Sequence, residues 1–195
     1  ENEEKTVIEQ KLYEVESSSK TSLIPALISS NKAKSVLIFC NTKIQCDELS
    51  NNLYDLGLDV LTLHSDLEQK QRDETIIFFS NKSYPILIAT DVASRGLHID
   101  DIDCVINYDL PRSTADYIHR IGRTARAGKE GSAISFVCED NFEHFALIEK
   151  RCKINLKKEQ IDGFEFQGEL ISNKGKAPIK GKRKSKKDKL RENTK

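Results

Sequence analysis

Three arginines at intervals of three residues form the part of the chain best suited to phosphate chemistry. Arg120, Arg123 and Arg126 lie in the run HRIGRTARAG at residues 119–128. On a helix they would follow one another on neighbouring parts of one face. Each guanidinium carries a planar fork of donors that matches phosphate oxygens, and the glycines of the run permit a close backbone approach. The pattern indicates either a phosphate site or a solvated basic helix end, which is the commoner meaning of an isolated R-x-x-R.

The elements that must position these arginines alternate between apolar runs and capped, amphipathic segments. Continuous apolar runs are typical of strands covered on both faces, and they predict strands at residues 35–40, 60–64, 85–90, 103–108 and 132–137. Helical periodicity predicts helices at residues 20–30, 42–56, 67–80, from Ser113 through the arginine run, and 141–152. This alternation predicts an α/β fold with a parallel sheet covered by helices on both sides.

Particular residues are expected to cap these helices or to face the core. Thr42 and Gln45 form a capping-box signature. Asp66 and Gln69 form a second pair of this kind. Gly57 should end the helix at 42–56. The residues expected inward on the helices at 42–56 and 141–152 are Ile44, Leu49, Leu53, Leu56, Phe142, Phe145, Ala146 and Ile148.

Polar residues follow several of the predicted strands. These pairs are Asn41-Thr42, His64-Ser65 and Thr90-Asp91. In open α/β sheets ligands bind beyond the carboxyl ends of the strands. We therefore expect the polar pairs and the arginine run to converge on one edge of the sheet.

Length and composition indicate one ordinary domain with a tail. The chain has 195 residues, of which 37% are hydrophobic. No apolar run reaches membrane-spanning length and the N-terminus lacks a signal-peptide layout, so a soluble, cytoplasmic protein without a membrane partner is expected. Five cysteines without C-x-x-C pairs predict reduced, buried thiols. The histidines show no metal-ligand spacing, and no metal site is predicted.

The chain is expected to divide into four parts. Residues 1–19 read as a linker running into an edge strand, 20–155 as the globular domain, 156–172 as a short extension and 173–195 as a disordered basic tail. Residues 174–195 carry 11 Lys and Arg against two acids, a net charge of +9 that is balanced by −9 elsewhere. Such a tail is either a solvated linker or a segment attracted to phosphate backbones.

Four segments resemble motifs of the second RecA-like domain of DEAD-box RNA helicases. Residues 35–42 (SVLIFCNT) are similar to motif IV, and residues 64–72 (HSDLEQKQR) to the H-G-x-x-x-Q-x-x-R segment. Residues 90–99 (TDVASRGLHI) resemble motif V, and residues 119–128 (HRIGRTARAG) resemble motif VI. The motifs occur in the family's order and at strand ends. The resemblance implies a RecA-like three-layer sandwich, with a mostly parallel sheet between two layers of helices.

The resemblance also implies an RNA-dependent ATPase whose site lies between this domain and an N-terminal RecA-like domain, joined through an interdomain linker at residues 1–19. Arg123 and Arg126 would be catalytic, reaching across to the terminal phosphates of ATP. An arginine in that position is worth roughly 10³ to 10⁵ in rate. Gly96 and His98 would also contact the nucleotide. The Mg²⁺ ion would be held by the N-terminal domain.

RNA contacts and coupling residues are implied in the same way. The residues implied to hold the sugar-phosphate backbone of single-stranded RNA are Asn41, Thr42, Ser65, Arg72 and Thr90. Those implied to couple RNA to the nucleotide are Gln69, Asp91, Arg95, His119 and Arg120. Backbone contacts do not read sequence, so binding to many RNAs is expected, assisted by the tail at 174–195. Helix capping alone is the alternative role for Asn41 and Thr42.

Two residues depart from the family pattern. Ser65 stands where the family usually has Gly, which would slightly crowd the backbone against RNA. His98 stands where the family usually has an Asp that is expected to bond the ribose of the nucleotide. A protonated imidazole has no acceptor. We therefore expect the complete protein to bind nucleotide more weakly than its His98→Asp variant, and equal affinities would remove the idea.

Two motifs of a complete ATPase are absent from the sequence. It contains no G-x-x-x-x-G-K-[ST] loop and no Asp-Glu-Ala-Asp run. The chain begins with Glu1 and has no methionine, so it is expected to be a piece of a longer protein. The 195-residue chain alone is predicted to have no appreciable ATPase activity, and turnover by the purified chain would refute this.

Other functions stay open at this stage. A non-catalytic RNA-binding or scaffold domain could retain the fold, although it would not need Arg123 and Arg126. A DNA translocase of a related superfamily shares the R-x-x-R, whereas the complete HRIGRTAR and TDVASRG runs favour RNA. Within the family, residues 66–73 and 7–13 most resemble bacterial enzymes of large-subunit ribosome assembly. Those enzymes carry a folded RNA-recognition domain after the core, whereas only a short basic tail follows here, so targeting to one RNA hairpin is not predicted.

Overall fold

Seven parallel strands and six α-helices make up the fold of the described residues. The computed structural model describes residues 7–97, 99–125, 129–164 and 166. The strands are β1 (Ile8–Glu14), β2 (Val36–Cys40), β3 (Val60–Leu63), β4 (Ile86–Thr90), β5 (Cys104–Asn107), β6 (Gly131–Val137) and β7 (Lys158–Glu159). The helices are α1 (Lys20–Ser30), α2 (Lys43–Asp55), α3 (Gln69–Ser80), α4 (Asp91–Ser94), α5 (Thr114–Ile121) and α6 (Phe142–Cys152).

The sheet has the strand order β3-β4-β2-β5-β6-β1-β7, and every pair in it is parallel. Strand β2 lies in the interior of the sheet, where Ile38 pairs with Ile88 on one side and Ile106 on the other. All five residues of β2 are buried, which explains its unbroken apolar sequence. The five strands predicted from apolar runs are confirmed, and all their carboxyl ends meet at one edge.

Alternate residues of the strands supply cores on both faces of the sheet. On one face Ile38 packs in a cluster with Leu27 of α1 and Leu49 of α2. On the other face Phe39 packs with Phe79 of α3, and a neighbouring cluster joins the sheet to α5 and α6. The arrangement is a three-layer, RecA-like sandwich, as predicted.

The buried stripe of α2 differs from the prediction at both ends. Cys46, Leu49 and Leu53 are buried, at the spacing i, i+3, i+7 of one helix face. Ile44 is 64% exposed because it lies two residues, about 200° of helix rotation, from Cys46. Leu56 is 51% exposed because it is the C-cap residue, where the helix has ended. Gly57, with φ +80°, follows as expected of a helix stop.

Two further helix predictions were wrong in detail. Helix α3 begins at Gln69, and its capping box is formed by Glu68 and Gln71 rather than by Asp66 and Gln69. Asp66 instead pairs with Lys43, 2.7 Å away, and this hydrogen bond lowers the pKa of Asp66. On α6 the buried stripe consists of Phe145 and Ile148, whereas Ala146 is exposed.

The helix that carries the arginine run ends earlier than predicted. Helix α5 stops at Ile121, and Gly122 is its C-cap. Arg123 lies in the following turn, and Thr124 forms an isolated parallel bridge with Ile102. Arg120 and Arg123 therefore do not continue along one helix, and Arg126 lies outside the described residues.

The two ends of the chain agree only partly with the prediction. Strand β1 is not an edge strand, because the two-residue β7 pairs with it on the side away from β6. Strand β7 is the short element expected within residues 156–172. The predicted disordered tail at 173–195 lies outside the described residues, as do residues 1–6 of the linker.

The remaining composition-based expectations concern cysteines and membranes. All five cysteines are free, and four of them are buried. A hydrogen bond to Cys46, together with burial, raises the pKa of the Cys40 thiol. Within the described ranges, no helix combines the length and apolar character needed to cross a bilayer.

Candidate functional site

Arg120 occupies the centre of the polar edge of the sheet. It lies in the last turn of α5 and is only 1% exposed, although an arginine side chain is almost never buried without partners. Its guanidinium also lies 4.9 Å from the centroid of the Phe39 ring. Arg120 is thus not part of a solvated basic helix end, because its charge lies inside the protein.

Five hydrogen bonds satisfy this guanidinium. Nε and Nη2 donate to the two carboxylate oxygens of Asp91, each at 2.7 Å, in a bidentate pair. Nη1 donates to Asn107 Oδ1 at 3.1 Å and to the backbone oxygen of Asp109 at 2.6 Å. Nη2 also donates to Asn41 Oδ1 at 3.2 Å. Arg120 therefore joins the carboxyl ends of β2, β4 and β5.

Asn41 is held from three sides at the end of β2. Besides accepting from Arg120, its side-chain amide donates to the Leu110 oxygen at 3.1 Å, and its backbone N–H donates to Asp109 Oδ2 at 2.9 Å. The next residue, Thr42, is the N-cap of α2 and accepts from the backbone N–H of Gln45 at 3.2 Å. Both residues are exposed. They hold the loop in place and leave the Thr42 hydroxyl able to donate to a ligand.

Arg123 points in a different direction from Arg120. Its Nη1 donates to the backbone oxygen of Leu97 at 3.0 Å and to Asp100 Oδ1 at 3.2 Å. Its side chain is 18% exposed. The loop after α4 therefore orients this guanidinium while leaving part of it accessible.

Arg120 and Arg123 line one open cavity of about 240 Å³. The other residues of its wall are Phe39, Asp91, Ser94, Arg95, Gly96, Asp116 and His119. Gly96 has φ +74°, a conformation that disfavours any side chain. The cavity brings together three arginines from two predicted motifs, and two of them are paired with Asp91 and Asp116 on the same wall.

Arg95 and Asp116 form an ion pair on the rim of this cavity. Arg95 Nη2 lies 2.7 Å from Asp116 Oδ1, and the Arg95 side chain is 62% exposed. Ser113, the N-cap of α5, donates to the other oxygen of Asp116 at 2.7 Å. The hydrogen bond from Ser113, followed by the Arg95 charge, lowers the pKa of Asp116.

The predicted RNA-contacting residues lie at the ends of three adjacent strands. Asn41 and Thr42 follow β2, Thr90 ends β4, and Ser65 follows β3 and is exposed. Strands β3, β4 and β2 are consecutive in the sheet, so these residues form a row along one edge. Arg72 of α3 adds a cation near this row, where its Nη2 donates to the Ala93 oxygen at 3.1 Å.

The remaining predicted site residues are Gln69, His119, His98 and Arg126. Gln69 donates to Asp73 of its own helix at 2.7 Å rather than bonding to Asp91 or Arg120. His119 is exposed on the cavity wall. His98 and Arg126 lie outside the described residues, so their predicted nucleotide contacts stay predictions.

Several polar residues of the site were missed from the sequence. Asn107 is completely buried at the end of β5, where it accepts from Arg120 and donates to Ser135 Oγ at 3.0 Å. Asp109 was missed as well, and so was its bond to Gln45, which was predicted only as a helix cap. An asparagine closing an otherwise apolar strand was the available signal for Asn107, because a buried amide requires partners. In the described part of the chain, no group of His, Cys, Asp and Glu could hold a metal ion.

Comparison with known proteins identifies the family of the chain. Residues 19–128 match the helicase conserved C-terminal domain. The ATP-dependent RNA helicase DbpA of Escherichia coli (strain K12) is 42% identical over 149 residues, which are 76% of this chain and 33% of DbpA. The chain thus spans about a third of the length of that relative.

Solved structures show the same fold. The E. coli DEAD-box protein SrmB, crystallised with regulator of ribonuclease activity A, is 33% identical with a TM-score of 0.81, covering 85% of this chain and 98% of that one. Dbp5 of S. cerevisiae, bound to RNA and ADP BeF3, is 33% identical with a TM-score of 0.73, covering 80% of this chain and 42% of that one. The chain therefore belongs to the helicase conserved C-terminal domain family and is the second RecA-like domain of a DEAD-box protein.

Proposed function

We propose that this chain is the C-terminal half of an ATP-dependent RNA helicase that couples ATP hydrolysis to the local separation of RNA strands. The observation that carries the proposal is the buried Arg120, which bonds to Asn41 on the row of predicted RNA-contacting residues and to Asp91 on the cavity wall. The Arg120 side chain thus connects the row of predicted RNA-contacting residues with the cavity.

The cavity is the proposed nucleotide-facing side. Arg123, and Arg126 beyond the described residues, would meet the terminal phosphates of ATP carried by an N-terminal RecA-like domain. There a guanidinium stabilises the charge that develops during phosphoryl transfer. Mg²⁺ would be held by that other domain. The bonds from Arg123 to Leu97 and Asp100 support this role, because a pre-oriented donor loses less entropy on binding.

The row at the ends of β2, β4 and β3 is the proposed RNA side. Thr42 caps the N-terminus of α2, where unpaired backbone N–H groups and the helix dipole favour a phosphate. Asn41, Ser65, Arg72 and Thr90 would add contacts to phosphate and sugar. Such contacts do not depend on base identity, and the basic residues 174–195 would strengthen them through charge alone.

Coupling would pass through the residues between these two sides. All five N–H groups of the Arg120 guanidinium are hydrogen-bonded. A movement of Asp91 that Arg120 followed would therefore disturb the bond from Arg120 to Asn41. Arg95 and His119 lie on the cavity wall, where a docking domain would meet them. The names of two relatives, DbpA and the RhlB of Shewanella amazonensis, both described as ATP-dependent RNA helicases, support the activity.

ATP hydrolysis by the complete protein tests the proposal. Turnover should be slow without nucleic acid and should rise with single-stranded RNA, but not with DNA of the same sequence. Stimulation by DNA would favour a translocase, and no hydrolysis under any condition would favour a non-catalytic RNA-binding domain. The 195-residue chain alone should not hydrolyse ATP, which is the matched control for the contribution of the rest of the protein.

A further inference from the structure

Asp109 contacts the segment 41–45, which carries the predicted RNA-contacting residues Asn41 and Thr42. The proposed function so far gives Asp109 no role. It lies two residues beyond the end of β5. Its Oδ2 accepts from the backbone N–H of Asn41 at 2.9 Å, and its Oδ1 accepts from the Gln45 side-chain amide at 3.1 Å. Its backbone oxygen accepts from Arg120. One residue thus fixes both ends of the segment from 41 to 45 and also the buried arginine.

These contacts act on a short segment that joins β2 to α2. Thr42 lies within it and begins α2, so the two bonds to Asp109 set the direction in which the first N–H groups of the helix point. Without them, Asn41 would keep only its side-chain bonds to Arg120 and Leu110. The backbone that would meet a phosphate is therefore held by Asp109 and not by apolar packing, because residues 41–44 are all exposed.

Lys20 supplies the charge that balances Asp109. It is the first residue of α1 and is 8% exposed, which is rare for a lysine. Its Nζ lies 3.7 Å from Asp109 Oδ1, donates to the Tyr108 oxygen at 3.0 Å and sits 5.0 Å from the Tyr108 ring centroid. The Asp109 side chain is itself only 13% exposed. A paired, half-buried carboxylate is a rigid acceptor, as a positioning group must be.

We propose that Asp109 is a positioning residue for RNA binding, which holds the backbone of Asn41 and the side chain of Gln45 so that the start of α2 is preformed for an RNA phosphate. The inference rests on the proposed function. Asp109 does not itself touch RNA. Its loss should weaken RNA binding and leave the chemistry of bound ATP at saturating RNA almost unchanged.

The hydrogen-bond pattern provides a rescue experiment. In Asp109→Asn, one acceptor oxygen becomes an NH₂ donor. If the remaining oxygen serves the Asn41 N–H, this donor faces the Gln45 amide, which must rotate to present its own oxygen. A charge-assisted hydrogen bond then becomes a weaker neutral one. Adding Gln45→Glu reverses the direction of that bond, so an amide at 109 can donate to a carboxylate at 45. Gln45→Glu alone instead places two carboxylates against each other, and it should weaken binding like Asp109→Asn.

The test uses the full-length parent and a fluorescein-labelled single-stranded oligouridylate. For Asp109→Asn we expect the Kd for RNA and the KM for RNA in ATP hydrolysis to rise about fivefold, because a charge-assisted hydrogen bond becomes a neutral one. We expect kcat at saturating RNA to stay within about twofold of the wild type. Asp109→Asn combined with Gln45→Glu should recover most of the affinity.

An unchanged Kd in Asp109→Asn, or a double variant no tighter than Asp109→Asn, would overturn the proposal, and so would a fall in kcat with unchanged KM. If Asp109→Asn does not fold, Gln45→Ala removes only one of the bonds, and an unchanged Kd in that variant would overturn the proposal equally. The wild-type protein distinguishes failure of the proposed function from failure of the role given to Asp109. Failure of the wild type to bind RNA would refute the proposed function, whereas a normal wild type with unaffected variants would refute only the role of Asp109.

Discussion

Replacing Arg120 by methionine should cost this domain a large part of its stability. The substitution keeps much of the side-chain volume but removes all five hydrogen bonds. It leaves the partly buried Asp91 and the fully buried Asn107 without this partner. Breaking a buried ion pair by removing one member costs about 3–5 kcal/mol. Domains of this kind have a total stability of about 5–15 kcal/mol. A substantial fraction of the stability should therefore disappear.

Urea denaturation followed by circular dichroism measures this loss. With a dependence of about 2 kcal/mol per molar urea, a loss of 4 kcal/mol lowers the midpoint by about 2 M. Arg112→Ala, at an exposed arginine just before α5, is the matched control and should change the free energy of unfolding by no more than about 0.5 kcal/mol. Arg120→Lys should also be destabilising, because an ammonium cannot reproduce the bidentate pair with Asp91. A midpoint within about 0.5 M of the wild type in Arg120→Met would refute the central position given to this residue.

Two other perturbations follow from the structure. The lowered pKa of Asp116 means that its ionised form stabilises the fold above the ordinary value of 3.8 and that this contribution is lost as the pH falls through the folded-state pKa. Urea titrations should therefore show Asp116→Asn less stable than the wild type at neutral pH and equal to it in strong acid, and a difference independent of pH would contradict the assignment. Gly131→Ala would place a methyl carbon against Thr124 Oγ1 and 2.6 Å from the backbone nitrogen of Ala125, so the free energy of unfolding should fall by about 1–3 kcal/mol. An unchanged thermal midpoint would contradict this.

The strands could be predicted because their apolar runs depend on local sequence alone. Val36–Cys40 and Ile86–Thr90 are bounded within a residue of the predicted runs, and the strand-end rule brought Asn41 and Thr90 to the same edge. The geometry of the arginines could not be predicted in the same way. Gly122 is the local signal for the end of α5, but glycine also permits a close backbone approach, and the sequence does not distinguish the two roles.

Burial of Arg120 depends on residues far away in the chain. Its partner Asn41 is 79 residues distant and Asp91 is 29 residues distant. No periodicity within the run at 119–128 carries that information, so a basic surface and a buried ion pair look alike in the sequence. The hydrogen bond between Asp109 and Gln45 could not be predicted for the same reason, because the two residues are 64 positions apart and meet only in the folded protein.

The most direct test of the proposed active site is RNA-stimulated ATP hydrolysis by the complete protein carrying Arg123→Ala. The variant should bind RNA with wild-type affinity and fold normally, because Arg123 is partly exposed and contacts the loop at Leu97 rather than the RNA side. Its kcat should fall by roughly 10³-fold or more, as expected for loss of an arginine that stabilises phosphoryl transfer. Hydrolysis at the wild-type rate would contradict the assignment of Arg123 to the nucleotide.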